Sequence, residues 1–483
     1  MIRSFVLNNT LVKSSEPNGK VLADLIRKDF RKKGTTIACR EGDCGACTVL
    51  VGELKGDRIF YRSLTSCVSP WVNANGKHIV TIEGLTLDKS GANSGNGILN
   101  LIQSAFKKQA ATQCGYCTPG FIVSVAGYFL RAETINFEDA WSSVDGNICR
   151  CTGYKSIERA VRDLVQDYQN KVNQGAHSLE ALVSLGVVPE YFLSIPEKLK
   201  SLKATGQSVP SEASSESLRV MGGGTDLLVQ KPHVIYSEDL LLMQESISET
   251  IEIKDHRVFL GGACRIEDFR LSEAMNSMIP NLKAMFKLFA STQIRHQGTI
   301  AGNIVNGSPI GDVTNFLLAL SATLHLDLGG AKRSVPLSDF FTGYKTNLLK
   351  PGEVIKYISF PVPDKNSYIN LEKVSKRTYL DIASVTTSAH IIYNGALIQH
   401  AVFSAGGVGP VPMVLNSLTK ELSQKSLTVD RVRYGVSMAL KEVAPLSDVR
   451  GSESYKLLAL RQLLFAHFIE MFPEKFNIKE LAS

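Results

Sequence analysis

In residues 39–47 the sequence reads CREGDCGAC, which places three cysteines within nine residues, and a fourth cysteine follows at position 67. This spacing, Cys-x4-Cys-x2-Cys with a distant fourth thiol, is typical of plant-type 2Fe-2S ferredoxins. Thiolates suit iron, and Gly42 and Gly45 let the loop turn so that backbone N–H groups can face the sulfurs. A structural zinc site is the alternative, although zinc quartets usually pair two short Cys-x2-4-Cys knuckles. The predicted ligands of this first quartet are Cys39, Cys44, Cys47 and Cys67.

A second group of cysteines has the pattern Cys114-x2-Cys117 followed by Cys149-x-Cys151. Its two halves lie at the ends of helical patterns, where helix N-termini would direct positive dipole ends toward an anionic cluster. Alone, this pattern leaves zinc and thiol redox motifs open. The ninth cysteine, Cys264, is predicted to be an ordinary buried thiol. Eight cysteines in two tight quartets indicate metal ligation in a reducing compartment rather than disulfide bonds.

Length and periodicity predict several domains, because 483 residues exceed the size at which one hydrophobic core keeps growing. The first part reads as β-rich, with a helix over 21–30 and strands near 48–51 and 79–82. Helical periods follow over 98–109, 119–132, 137–144 and 156–168, and the last part ends in helical patterns at 428–443 and 453–471. Polar Gly/Ser-rich stretches lie at 90–97 and 211–216. The predicted domains are 1–86, 87–168, a linker at 169–216, 217–370 and 371–483.

The composition is that of a soluble globular protein, with 44% hydrophobic and 20% charged residues. The net charge of +7 includes a basic run at Arg27, Lys28, Arg31, Lys32 and Lys33, which we interpret as a solvated face rather than a nucleic-acid site. No secretory signal pattern is visible, and the apolar segment 121–130 is half the ~20 residues of a membrane span. We therefore expect a cytoplasmic protein without a nucleic-acid or membrane partner.

Two glycine-rich loops predict a nucleotide cofactor. Residues 220–227 follow an apolar strand, and their three successive glycines would let backbone N–H groups converge on a pyrophosphate, although a plain turn is an alternative. The loop is neither the Gly-x-Gly-x-x-Gly of a dinucleotide-binding Rossmann unit nor a Walker motif, which disfavours NAD binding by that fold and ATP binding. A second glycine-rich loop spans 298–312.

These motifs together resemble a known family. The stretches 41–47, 113–120 and 146–154 closely resemble the iron–sulfur region of the molybdenum hydroxylases, the family that includes xanthine dehydrogenase and aldehyde oxidase. The loops at 220–227 and 297–312 are similar to the FAD-contacting stretches of the same family. The resemblance implies a multidomain α+β fold with a ferredoxin-like β-grasp domain, a four-helix 2Fe-2S domain and a two-part α+β FAD-binding domain of the xanthine dehydrogenase/CO dehydrogenase flavoprotein type.

Carried over position by position, the resemblance implies a set of FAD contacts. These are Val220, Met221, Gly222, Gly223, Gly224, Thr225, Asp226, Leu227, Phe289, Thr299, Asn303, Ser308, Asp312, Ile355 and Lys373. Asp226 and Asp312 could instead be turn-forming carboxylates. The resemblance also implies that Gln113 lies close to the pterin, and its alternative is a helix-capping side chain.

The resemblance further implies an electron path. A molybdopterin-binding large subunit would oxidise hypoxanthine and xanthine to urate and pass electrons through the second-quartet cluster, the first-quartet cluster and FAD to NAD. The NAD site is inferred around residues 373–381, a dimer of heterodimers is expected, and no catalytic acid or base is expected on this chain. The alternatives are a related hydroxylase acting on aldehydes or other N-heterocycles, and a stand-alone redox or assembly module.

Overall fold

A computed structural model describes residues 2–87, 98–172, 177–204 and 219–482 of the chain. The chain groups into two compact units. The first unit comprises Met1–Arg219, Gly223–Leu241 and Ser291–Gln297, and the second comprises Val220–Gly222, Leu242–Ala290 and Gly298–Ser483.

The first unit begins with a five-stranded mixed sheet. Its strands are β1 Arg3–Leu7, β2 Thr10–Ser14, β3 Thr48–Lys55, β4 Arg58–Thr65 and β5 His78–Val80. Their order is β2-β1-β5-β3-β4, with β1 and β5 parallel and the other neighbours antiparallel. Helix α1 Leu22–Asp24 continues as a π-helical turn, Leu25–Asp29, where the sequence predicts one helix. This is the expected ferredoxin-like sheet, and its strands β2 and β4 are ones that the sequence patterns did not predict.

Four helices follow, as predicted. They are α2 Leu101–Lys108, α3 Thr118–Arg131, α4 Phe137–Ser142 and α5 Lys155–Lys171. Helix α3 carries apolar side chains on nearly all of its faces, and it is therefore buried along most of its length. Across the described residues, no helix combines the length and apolar character that a membrane crossing requires.

The predicted linker at 169–216 is folded over its described part. It contains α6 Leu179–Ser184, a 3₁₀ turn Glu190–Ser194 and α7 Ile195–Ala204. Phe192 is buried in the core of the helical part, and Ile195 and Leu199 pack with Val6 of β1. These scattered apolar residues are buried by distant strands and helices, which is why local periodicity did not reveal them. The polar stretches predicted at 90–97 and 211–216 lie outside the described residues.

Short elements connect this region to the second unit. They are β6 Arg219–Met221, α8 Leu227–Gln230, α9 Pro232–Ser237 and β7 Leu240–Leu242. Then follow β8 Ile251–Lys254, β9 Arg257–Gly261, α10 Ile266–Leu271, α11 Glu273–Met278, α12 Leu282–Met285, α13 Thr292–Arg295, α14 Ile300–Val305 and α15 Asp312–Ala319. The strands β10 Thr323–Leu328, β11 Ala331–Pro336, β12 Phe341–Gly343, β13 Thr346–Asn347 and β14 Val354–Pro361 complete this part.

An antiparallel sheet of order β11-β10-β14-β9-β8 supports the second unit. Its core includes edge-to-face contacts of Phe286 with Phe269 and Phe316, at centroid distances of 5.1 and 5.0 Å.

The C-terminal part has its own sheet and core. Its elements are β15 Ser367–Val374, β16 Val385–Tyr393, β17 Leu397–Gly406, β18 Met413–Val414, α16 Asn416–Leu422, β19 Lys425–Ser426, α17 Val429–Glu442, α18 Glu453–Met471 and α19 Ile478–Ala482. The strands β15 to β18 pair in sequence order, and β19 pairs with β17. The helices α17 and α18 confirm the two predicted C-terminal helices.

Candidate functional site

The β3–β4 hairpin positions half of the first quartet. Thr48 pairs with Thr65 at the open end of the hairpin, so Cys47 and Cys67, just outside the paired residues, lie side by side. The backbone N–H of Cys67 donates to Cys47 Sγ at 3.4 Å. Cys47 and Cys67 are buried, whereas Cys39 and Cys44 on the preceding loop are half-buried.

The four thiols of the first quartet interact with one another. Hydrogen bonds from the thiols of Cys44 and Cys67 hold the pKa of Cys39 well below its usual range, and the bond to Cys39 raises the pKa of Cys44. The Glu41 N–H also donates to Cys39 Sγ, at 3.4 Å. Gly42 and Gly45 have φ values of +81° and +65°, the left-handed conformations that glycine favours, so the loop turns as predicted. Thiols in mutual contact with N–H donors around them fit the ligand chemistry of an iron–sulfur cluster.

The second quartet is assembled at helix ends. Cys117 is the N-cap residue of α3, and Cys149 and Cys151 precede α5. The sulfurs of Cys114 and Cys151 are 3.6 Å apart. Burial, together with a hydrogen bond to Cys149, raises the pKa of Cys117 to about 12.

The four sulfurs of the first quartet form a continuous chain of contacts. Cys39 interacts with the thiols of Cys44 and Cys67, and Cys67 also interacts with the thiol of Cys47. In the described part of the chain, no group of three His, Cys, Asp or Glu side chains has the arrangement of a site for one metal ion. A 2Fe-2S cluster takes two thiolates at each iron, so four neighbouring thiols supply the required number of ligands.

The loops of the two quartets are hydrogen-bonded to each other. The Ile148 N–H, directly before Cys149, donates to the carbonyl oxygen of Cys44 at 3.0 Å. Asn147 Nδ2 donates to the Gly45 carbonyl oxygen at 2.9 Å. A side chain on Gly45 would meet the Gly146 carbonyl oxygen at 2.4 Å, so only glycine permits this approach. One hydrogen bond and the peptide bond between Ile148 and Cys149 therefore connect Cys44 of the first quartet to Cys149 of the second.

A buried polar network extends from these loops and was not predicted from the sequence. Gln293, within the segment Ser291–Gln297 of the first unit, donates to Asn147 Oδ1 at 2.9 Å and to Ser124 Oγ at 3.0 Å. Thr292 Oγ1 donates to Asp145 Oδ1 at 3.2 Å. Asn147 belongs to the cysteine-containing stretch 146–154, but Gln293 gave no signal because it stands in the polar stretch 291–297.

Gln113 is exposed between α2 and α3. The N-cap of α3 is Cys117, and α2 begins after Asn100, so the structure does not use Gln113 as a helix cap.

In the second unit, a buried ion pair joins two of the expected FAD contacts. Lys373 Nζ lies 2.8 Å from Asp312 Oδ2 and also donates to the Leu288 carbonyl oxygen, next to Phe289. The two side chains are only 3% and 7% exposed. The other carboxylate oxygen, Asp312 Oδ1, is buried without a hydrogen-bond partner among the described residues. A donor group of a bound flavin would satisfy it, so these residues fit the expected cofactor.

Glycine keeps the backbone open around Thr299. Its hydroxyl caps α14 by accepting from the Gly302 N–H at 3.1 Å. A Cβ at Gly222 would lie 2.5 Å from Thr299 Oγ1, and one at Gly302 would lie 2.7 Å away. Nearby, Asn303 Oδ1 accepts from Thr314 Oγ1 at 3.4 Å. Val220–Gly222 belong to the second unit, as do Thr299 and the predicted FAD contacts that follow it in the sequence.

The remaining predicted contacts are placed differently. Gly223–Leu227 fall in the first unit, where the Gly224 carbonyl accepts from the Leu228 N–H at 3.0 Å. Ser308 Oγ accepts from the Ile310 N–H at 3.4 Å. The Ile355 side chain is 1% exposed and belongs to the apolar core of this unit.

Comparison with known families assigns this set of domains. The chain matches the "[2Fe-2S] binding domain" over 81–162, the "FAD binding domain in molybdopterin dehydrogenase" over 166–363 and the "CO dehydrogenase flavoprotein C-terminal domain" over 372–471. The chain belongs to the molybdenum hydroxylase family. The 2Fe-2S match contains all four cysteines of the second quartet, and the two flavoprotein matches together contain the expected FAD contacts.

Two relatives with similar sequences are xanthine dehydrogenases. The chain is 26% identical to the xanthine dehydrogenase/oxidase of Felis catus, over 80% of this chain and 32% of the relative. It is 25% identical to the xanthine dehydrogenase of Drosophila pseudoobscura pseudoobscura, over 97% of this chain and 39% of the relative. The chain thus spans about a third of the length of these relatives.

Solved structures share the flavoprotein fold of this molybdenum hydroxylase chain. The carbon monoxide dehydrogenase from Hydrogenophaga pseudoflava matches with a TM-score of 0.51 and 24% identity, over 54% of this chain and 92% of that chain. The reconstituted CO dehydrogenase from Oligotropha carboxidovorans matches with a TM-score of 0.50 and 23% identity, over 54% and 91%. These likenesses concern the fold.

Proposed function

We propose that this chain is the electron-transfer subunit of a xanthine dehydrogenase. Electrons from a molybdopterin-binding partner chain would pass through two 2Fe-2S clusters to FAD and then to NAD as hypoxanthine and xanthine are oxidised to urate. The clusters would be held by the two cysteine quartets and the FAD by the residues around Lys373, Asp312 and Thr299. When bound, the clusters supply one-electron steps and the flavin supplies the exchange between one-electron and two-electron chemistry.

The observation that carries this proposal is the bonded route between the quartets. The Cys44 carbonyl oxygen accepts the Ile148 N–H at 3.0 Å, and Ile148 is covalently joined to Cys149, a ligand of the second quartet. Electron transfer between two centres weakens steeply with distance, so such a short route is what an electron-transfer chain needs. The protein's own contribution is to position the two sites and to direct N–H groups at their sulfurs.

The division of a similar enzyme into separate chains supports a molybdopterin site on a partner chain. About half of this chain corresponds to nearly the whole of one carbon monoxide dehydrogenase chain. In that enzyme the flavoprotein part is therefore a polypeptide of its own. We propose the same modular division here, with substrate oxidation on a partner chain and a dimer of the two-chain complex.

Two other functions give different experimental results. A related molybdenum hydroxylase would have the same cofactors but would act on aldehydes or other N-heterocycles. A stand-alone redox module would hold the same cofactors without any molybdopterin partner. The xanthine dehydrogenases among the relatives favour the purine substrate.

Purification of the tagged chain from its native host, followed by assays with and without any co-purifying chain, tests the proposal. The isolated chain should transfer electrons from NADH to an artificial dye but should not oxidise xanthine. The complex should oxidise xanthine, and Cys114→Ser in this chain should abolish that activity while sparing NADH-to-dye transfer, because the substitution interrupts only the path from molybdenum.

Xanthine oxidation by the isolated chain would contradict the division between two chains. A complex that oxidises aldehydes but not xanthine would identify the related hydroxylase. A flavin-replete chain that NADH cannot reduce would refute the NAD assignment alone.

A further inference from the structure

The first unit has an open, strongly basic cleft of about 680 Å³ beside the first cysteine quartet. Five cationic side chains and one carboxylate line it, which leaves an excess of four positive charges. The lining residues are Asp24, Arg27, Lys28, Arg31, Lys33, Ile37 and Arg40. Four of the five residues of the basic run, all except Lys32, therefore line one concave surface, where the sequence predicted a solvated face.

Hydrogen bonds fix the framework of this cleft. Arg40 makes two bonds of 3.0 Å to the carboxylate of Asp24, and Arg40 is the main cause that lowers the pKa of Asp24. Arg27 donates to the carbonyl oxygens of Lys33 and Thr35, at 2.8 and 2.6 Å, and so ties the loop back to α1 and its π-helical turn.

Three cationic side chains project from this framework. Lys28 lies 3.5 Å from a carboxylate oxygen of Asp24, yet its side chain is 71% exposed. The side chains of Arg31 and Lys33 are also exposed. These three cations are therefore accessible to an approaching partner.

The cleft lies next to the more accessible half of the quartet. Ile37 and Arg40 line the cleft, and Cys39 lies between them in sequence. Cys39 and Cys44 are half-buried, whereas Cys47 and Cys67 are buried. A partner seated in the cleft would therefore approach the first-quartet cluster from its less protected side.

We propose that this cleft is the docking site for an acidic one-electron carrier protein that exchanges electrons with the first-quartet cluster. The inference rests on the proposed function for the presence of that cluster. In each encounter one electron passes from the reduced cluster to the oxidised carrier, so the cluster is oxidised, the carrier is reduced and no proton or bond is transferred. This route would be additional to the two-electron exchange at the flavin.

Charge and size both favour such a partner. Opposite charge steers encounter and can raise association rates by 10–10³-fold, and transient electron-transfer complexes bury little surface. Nucleic acid normally needs a longer basic stripe, and here Arg27 and Arg40 are already bound to groups of the chain.

The experiment uses the full chain in its oxidised state and purified flavodoxin, an acidic protein that carries one electron at a time on FMN. Binding is measured by fluorescence anisotropy, and carbodiimide cross-links between carboxylates and lysines are located by mass spectrometry. We expect salt-sensitive binding, with cross-links at Lys28 and Lys33, that is lost between about 20 mM and about 500 mM salt. The double substitution Arg31→Glu/Lys33→Glu should weaken binding about tenfold or more at low salt, and Arg31→Gln/Lys33→Gln should weaken it less.

The matched control is Lys420→Glu/Lys441→Glu, which makes the same charge change at exposed positions on α16 and α17 and should leave binding within about twofold of the parent chain. Retained cluster absorbance in every variant shows that the fold is intact.

Three results would overturn the inference. The first is equal binding by the Arg31/Lys33 and the Lys420/Lys441 variants. The second is loss of the co-purifying partner chain from the Arg31/Lys33 variant, which would make the cleft a subunit interface. The third is tighter binding of duplex DNA than of flavodoxin to the same residues. Because binding needs neither xanthine nor NADH, it can succeed even if the proposed substrate or acceptor is wrong.

Discussion

The Cys149 thiol shows how single residues set up the second quartet. It is buried, it accepts a hydrogen bond from Thr152 Oγ1 at 3.1 Å, and the bond from Ile148 to Cys44 lies one residue away. Cys264 is an unrelated buried thiol in the second unit, where burial raises its pKa to about 12. The two cysteines differ in surroundings rather than in exposure, which makes them a matched pair for substitution.

Cys149→Ser is therefore expected to remove one of two reduced-cluster EPR signals and to leave the other, because a serine oxygen is a poor replacement for a thiolate ligand of iron. Cys264→Ala should leave both signals and the flavin unchanged. Stoichiometric zinc in the parent chain, or loss of both signals in the Cys264 variant, would count against the assignment of the quartets.

A buried histidine in the C-terminal part gives a prediction for pH. His467 is fully buried, its Nε2 contacts Thr387 Oγ1 at 2.9 Å, and burial lowers its pKa to about 3. Its stabilising contribution is complete above the unfolded-state pKa of about 6.5 and is lost as the pH falls toward 3, because only the unfolded chain then binds the proton readily.

The free energy of unfolding of the parent chain should therefore fall between about pH 6.5 and about pH 4. In His467→Gln the free energy of unfolding should fall less steeply with pH, by an amount that corresponds to up to one fewer proton bound on unfolding. The exposed control His233→Gln should keep the pH dependence of the parent chain. Urea unfolding at several pH values measures these free energies. Identical slopes in the parent and the His467 variant would refute the role given to this side chain.

At the scale of elements, the start of α15 and strand β15 meet through the Asp312–Lys373 ion pair. Lys373→Met should destabilise the chain by about 3–5 kcal/mol, because it leaves a buried carboxylate without its counter-charge. The double variant Lys373→Met/Asp312→Leu should recover most of that loss, yet both variants should release FAD. Urea unfolding and the flavin content after purification measure the two effects, and full FAD retention by the double variant would show that the pair does not belong to the flavin site.

The glycine loop gives a second prediction at this scale. Gly224 has a φ of +84°, and a β-branched residue is strained in that conformation. Gly224→Val should therefore lower FAD content while both cluster signals remain. The exposed turn residue Gly56 has a φ of +61° with no neighbour within 4 Å of an added Cβ, so Gly56→Val controls for backbone strain alone. Equal loss of FAD in the two variants would contradict a role of the glycine loop in FAD binding. Bound FMN in place of FAD would contradict a pyrophosphate-binding role of the loop.

The elements that could be predicted from the sequence are those whose signal is local. The helices α17 and α18 have sustained periodicity, and the quartet spacing needs only the cysteines themselves. The network at Gln293 could not be predicted, because its partners Ser124 and Asn147 lie 169 and 146 positions away in the sequence. The helices between 177 and 204 were missed for the same reason, since distant residues such as Val6 bury their apolar side chains.

At the scale of the whole molecule, the chain carries the two quartets in its first unit and most of the expected flavin contacts in its second. The quartets are joined by hydrogen bonds inside the first unit, and the glycine loop belongs to both units along the chain. The three family matches follow the same order along the sequence. We expect electrons to move between the flavin and both clusters within this chain.

The most direct test is low-temperature EPR of the full chain, reduced with NADH under anaerobic conditions and frozen after the flavin absorbance has bleached. We expect two distinct 2Fe-2S signals in the same sample, because electrons that enter at the flavin reach both quartets. Metal analysis of the same chain should find about four iron atoms, two for each cluster. With that iron content, a bleached flavin without either cluster signal would contradict electron transfer between the flavin and the clusters.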